Sequence, residues 1–251
     1  MKNSFIINQT PMPRRKETYI IDKPMTFLLS DRFQERIHDL IDIEIRNSGT
    51  TKFPLSGSTS IYLDLFTDRK ISIIGVQKNV MDSLNGLVVT DDSRIQSSIV
   101  NRYPAVNGKE HLVLSVLSNR LVSEIADMKD IINSYGIFTI RVDGFLESRY
   151  LPYSLDKNIN EIAEVNKTTD ERLVETLHSM YKGPVITDRD ISMKLEFFVD
   201  DYDVDLDNLA LEVVYNCKDI FYGSVSQISN LMIVKQQCRI NERPFTKISW
   251  E

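Results

Sequence analysis

Glycine is scarce in this chain, nine among 251 residues, and none falls in a G-x-G-x-x-G or P-loop array. Backbone N–H groups therefore have no ready-made cradle for a nucleotide phosphate. Histidine is scarcer: His38, His111 and His178 are dispersed and form no H-E-x-x-H pair. That leaves no imidazole metal set and no base to activate a serine; Ser58 in Gly57-Ser58-Thr59 also lacks the strand-turn-helix elbow of a serine hydrolase. Cys217 and Cys238 are the only cysteines, too few for a disulfide framework; both fall in segments that read as strands and are expected to be buried thiols. Apolar runs such as Phe5-Ile6-Ile7 and Leu231 to Val234 are far shorter than the ~20 residues of a membrane span, and the first is too short for a secretory leader. Basic charge is also lacking. A net charge of −6 with a pI near 5.2 opposes general affinity for nucleic acid, and no such partner is expected.

What the chain does contain is alternation. Ile61, Leu63 and Leu65 alternate with Tyr62 and Asp64, the segment Thr67-Asp68-Arg69-Lys70 follows, and Ile71 and Ile73 resume the pattern, which predicts a hairpin between Gly57 and Gly75. Ile41, Ile43 and Ile45 predict a strand after a short helix that begins near Ser30-Asp31 and places Phe33 and Ile37 on one face. Asn85-Gly86 before Leu87-Val88-Val89 reads as a hairpin turn, and Asn107-Gly108 leads into Leu112, Leu114 and Val116. Ser118 to Ile132 offers helical spacing, and Ile137 to Val142 closes the region as a strand.

The expected class is therefore mainly β, a β-sandwich (Ig-like) domain with short helices plus a smaller C-terminal β unit. Residues 1–24 carry Pro11, Pro13, Pro24 and the basic cluster Arg14-Arg15-Lys16 and read as an extended arm. Residues 25–155 form the sandwich; 156–190 form a connector with one helix whose stripe is Leu173, Leu177, Met180 and Tyr181, stopped by Gly183-Pro184. Residues 191–251 form the C-terminal unit, with strands expected at Met193–Val199, Leu209–Asn216 and Ile228–Ile240 and no internal repeat of the first.

One segment has ligand character. The run Asp201-Tyr202-Asp203-Val204-Asp205-Leu206-Asp207-Asn208 is followed by Glu212, so Asp201, Asp203, Asp205 and Glu212 fall near the carboxylate positions of a Ca²⁺ loop. Leu206 stands where such a loop turns on glycine, which favours a solvated acidic loop instead. No cofactor and no catalytic residue are expected. The aromatics, among them Tyr62, Phe66, Phe138, Phe197, Tyr215, Phe221 and Tyr222, neighbour aspartate, serine and aliphatic residues and read as core packing.

The stretch Ile41 to Leu155 resembles the N-terminal β-sandwich domain of phage baseplate upper proteins. The points of likeness are Ser56-Gly57-Ser58-Thr59 ahead of Ile61-Tyr62-Leu63-Asp64-Leu65-Phe66, then Thr67-Asp68-Arg69-Lys70 and Ile73-Ile74-Gly75, and later Leu112-Val113-Leu114-Ser115 and Tyr135-Gly136-Ile137-Phe138-Thr139-Ile140-Arg141-Val142. The segment Val76 to Val106 departs from that pattern as a long insertion, and Ser58 stands where the family has aspartate. The resemblance implies a virion structural protein without enzymatic activity: a homo-oligomeric adaptor, decoration or fibre-base component of capsid, collar or baseplate. It would join other virion proteins through the N-terminal arm, assemble in the host cytoplasm and have no membrane partner. The alternative is a soluble carbohydrate- or Ca²⁺-dependent binding module.

Overall fold

A computed structural model describes residues 3–7, 31–48, 53–118, 136–143, 171–200, 203–241 and 244–251. The helices α1 (Asp31–Ser48), α2 (Ile73–Leu84), α3 (Glu171–Met180) and α4 (Leu206–Cys217) accompany eight strands. These are β1 (Asn3–Ile7), β2 (Thr59–Phe66), β3 (Ile95–Tyr103), β4 (His111–Ser118), β5 (Gly136–Asp143), β6 (Ile191–Val199), β7 (Ile228–Gln237) and β8 (Phe245–Trp250). All eight join one sheet in the order β1-β8-β6-β7-β3-β2-β4-β5. The strand-rich expectation holds, but a mixed sheet carrying helices stands in place of two packed sheets.

That order is a palindrome of roles. β2 is parallel to β3 and antiparallel to β4, and β6 is parallel to β7 and antiparallel to β8. β2 slips register between Thr59 and Ser60, and β6 slips between Ile191 and Ser192. The helices α2 and α4 each have 12 residues and are followed by a left-handed residue, Gly86 (φ 75°) or Asp219 (φ 63°), and later by Asn107 (φ 53°) or Asn241 (φ 69°). The loop bonds repeat: Gly86 N–H to Val89 O at 2.8 Å matches Asp219 N–H to Tyr222 O at 2.7 Å, and Leu55 N–H to Val88 O matches Ile186 N–H to Phe221 O. The chain is a structural duplication. The halves meet at β3 and β7, where Ile99 faces Met232; these are equivalent residues, each four places after the isoleucine that opens its strand, so the pseudo-dyad passes between them. This corrects the expectation of two unrelated units.

Helices replace three expected strands. In α1, Ile37 and Ile41 are buried and Ile45 packs on the core while Ile43 is 52% exposed, so the apolar residues recur every fourth position and the apparent alternation is incidental. Ile71 and Ile73 do not return a hairpin: Ser72 caps α2, its hydroxyl accepting the Gly75 N–H. Leu209 to Asn216 lie in α4, whose two sides both face protein, so no polar face marks the helical period. Asn85-Gly86 ends α2 instead of joining two strands. The supposed insertion from Val76 to Val106 contains α2 and the central strand β3.

The expectations for β2, β4, β5, β6, β7 and α3 hold in place and type. Asn3–Ile7, assigned to the arm, is an edge strand on β8; the rest of the arm, the helix over 118–132 and most of the connector lie outside the described residues. Leu63, Leu65, Leu114, Leu195, Phe197, Leu231 and Trp250 point at the helices and form one core with them. Neither cysteine forms a disulfide. Cys217 is buried in α4, not in a strand, and Cys238 follows β7 and is half-buried.

Candidate metal centre

Because α2 packs against α4 near the pseudo-dyad, the start of α4 meets the segment that follows α2. Asp91 and Asp92 sit at a 3₁₀ turn leading into β3, and Asp91 accepts the Ser93 N–H at 2.9 Å. Asp205 stands at the N-cap position of α4 without capping it; its Oδ2 accepts the Asn208 side-chain amide at 2.9 Å. One carboxylate oxygen from each of Asp91, Asp92 and Asp205 lies within 4.8 Å of the other two. Residues from both halves of the duplication thus converge on one point.

Asp207, two residues on from Asp205, is not one of this group, but its charge acts on Asp92 and Asp205. It is fully buried. Its Oδ2 accepts the Lys78 ammonium at 2.6 Å, and its Oδ1 makes no hydrogen bond. Lys78 also donates to Asn208 Oδ1 at 3.1 Å and to Asp82 Oδ1 at 3.4 Å. A buried carboxylate oxygen without a donor costs on the order of 1–3 kcal/mol or more, and the Lys78 ammonium on the other oxygen of the same carboxylate offsets part of that cost.

Burial raises the Asp205 carboxyl to about 6, with the charges of Asp92 and Asp207 adding to the rise. Asp92 is raised by burial and then by Asp207, while a hydrogen bond with Asp205 opposes the shift. Burial also raises Asp82 to about 6 against the pull of Lys78. Asp91, open to solvent, is lowered by its bonds with Ser93. Burial works against the Lys78 ammonium, but Asp207 and Asp82 more than offset it and hold its pKa above the usual lysine range. Carboxylates this close repel one another unless a proton or a cation stands between them.

Of the four residues near Ca²⁺-loop positions, which read as a solvated acidic loop, Asp205 alone joins this cluster. Asp203 is exposed, Glu212 lies within α4, and Asp201 is outside the described residues. Asp91, Asp92 and Lys78 carry no local sequence signal that groups them with Asp205, since Asp92 and Asp205 are 113 positions apart. A signal did exist. Aligning α2 with α4 superposes Val76 on Leu209, Val80 on Val213 and Leu84 on Cys217, which exposes the duplication and the place where its halves meet. No family model, curated protein or solved structure matches the chain.

Proposed function

We propose that the Asp91–Asp92–Asp205 cluster binds a divalent cation, Mg²⁺ or Mn²⁺, and that the protein is a cation-dependent phosphodiester hydrolase. The observation that carries this reading is the convergence of three carboxylates from both halves, one oxygen of each within 4.8 Å of the other two, joined by the charge of the buried Asp207, whose Oδ1 makes no hydrogen bond. An all-oxygen, carboxylate-rich donor set suits hard cations and not zinc or copper. Mg²⁺ keeps several coordination positions for water and for substrate phosphate, and the exposure of Asp91 leaves the cluster open on that side. When bound, such a cation polarises a phosphoryl oxygen and acidifies an attacking water. Lys78 holds Asp207 in place and partly neutralises the cluster. This reading is preferred to a virion adaptor, which would give the converged carboxylates no use; a Ca²⁺-dependent binding module would use them and differs in cleaving no phosphodiester.

The test is hydrolysis of bis(4-nitrophenyl) phosphate and of fluorescent single- and double-stranded oligonucleotides, with Mg²⁺ or Mn²⁺ against EDTA. Cation-dependent cleavage that disappears in Asp205→Asn and Asp207→Asn is the expected result. A wild-type chain that gains thermal stability from Mn²⁺ yet cleaves none of these substrates would sink the hydrolase and leave only the cation site.

A further inference from the structure

The pseudo-dyad provides two equivalent places for a centre, and only one is furnished with ligands. Superposing the halves puts Ser224 where Asp91 stands, Val225 for Asp92, Ser72 for Asp205, Ile74 for Asp207 and Leu211 for Lys78. All five ionisable side chains are replaced by neutral ones. The mate position is also packed: Ile74, Leu211 and Val225 belong to the hydrophobic core. Its hydroxyls are engaged, Ser72 with the Gly75 N–H and with Tyr215, and Ser224 with Ser226. Tyr215 occupies the place of Asp82.

We infer that, of the two places that the pseudo-dyad relates among the described residues, one alone is a cation centre, so that each binding encounter there breaks one phosphodiester bond and not a symmetric pair. The inference rests on the cation reading above. Each half supplies what the other has lost: the first contributes Asp91, Asp92 and Lys78, the second Asp205, Asp207 and Asn208. Neither half alone holds a complete set.

Mn²⁺ titration of the full chain by calorimetry, with the Mn²⁺-induced change in Tm read in parallel, tests this. Asp205→Asn at the half-exposed position and Asp207→Asn at the buried one should each lower the whole Mn²⁺ response at least tenfold, whatever number of ions the centre holds. The double variant Ser72→Ala with Ser224→Ala should leave that response unchanged. Survival of about half the Mn²⁺ stoichiometry in Asp205→Asn, lost only when Ser72 and Ser224 are also replaced, would establish a second centre and overturn the inference. Absence of any Mn²⁺ response in the wild-type chain would overturn the cation reading itself. Circular dichroism of each variant separates loss of ligand from loss of fold.

Discussion

Lys235 and Arg102 occupy equivalent positions on β7 and β3 and perform the same task for opposite halves. Lys235 donates to Ser93 O at 2.7 Å and Val204 O at 2.6 Å; Arg102 donates to Ser226 O at 2.6 Å and Ile71 O at 3.3 Å. Each cation ties the 3₁₀ turn of one half to the segment entering the helix of the other. Only the turn held by Lys235 carries the Asp91–Asp92 pair.

The pair therefore offers a matched comparison. Lys235→Met and Arg102→Met each leave buried carbonyls without a donor, at a cost on the order of 1–3 kcal/mol per group, and both should lower Tm. Lys235→Met should in addition weaken Mn²⁺ binding, because it frees Asp91–Asp92 from Asp205, whereas Arg102→Met should leave binding intact. Equal effects on Mn²⁺ affinity would show that the staple does not position the cluster.

A supercoiled plasmid reports the number of bonds broken per encounter. With Mn²⁺, nicked circles should accumulate first, and linear molecules should appear only as independent nicks coincide. Direct conversion to linear product at low enzyme would contradict a single centre.

The first helix can be checked by two alanines. Ile41→Ala removes a fully buried side chain and should cost about 2–5 kcal/mol; Ile43→Ala, at an exposed position, should change urea stability by no more than about 0.5 kcal/mol. A strand would put both on one face, so comparable losses would favour that arrangement.

Asp64 gives a pH dependence remote from the cluster. Burial raises its carboxyl above the ordinary 3.8, although Asn101, which donates to Oδ1 at 2.9 Å, and Tyr62 pull it down. The folded state thus holds this proton more tightly than the unfolded chain. The associated stabilisation is fully present below the unfolded value and is lost as pH rises through the raised folded one. Asp64→Asn should accordingly gain urea stability relative to wild type on going from about pH 4 to about pH 7.5. A relative loss over that interval would mean that the Asn101 bond outweighs burial.

Among the parts of the fold legible in the sequence, β2, β6 and α3 each have one face that is not fully buried. β2 and β6 alternate because their outward positions are polar, and α3 shows its stripe because its far side is solvated. α2 and α4 were misread because helices enclosed by protein have no polar face, and Ile-rich α1 because Ile43, placed outward, imitates a strand period. Asp205 was visible as part of an acidic run. Its partners were not, since the contact between Asp92 and Asp205 depends on how two distant halves associate and on nothing local to either.

β1 pairs with β8 throughout its length, Asn3 opposite Trp250 and Ile7 opposite Thr246. The outermost strand of the second half is therefore drawn from the opposite end of the sequence, where the first half uses β5, its own continuation. Asn3–Ile7 is made long before β8, the strand it pairs with. Closing that edge joins two segments very far apart in sequence and carries a correspondingly large loop entropy, which makes it a late event of folding and an early seam to open under denaturant.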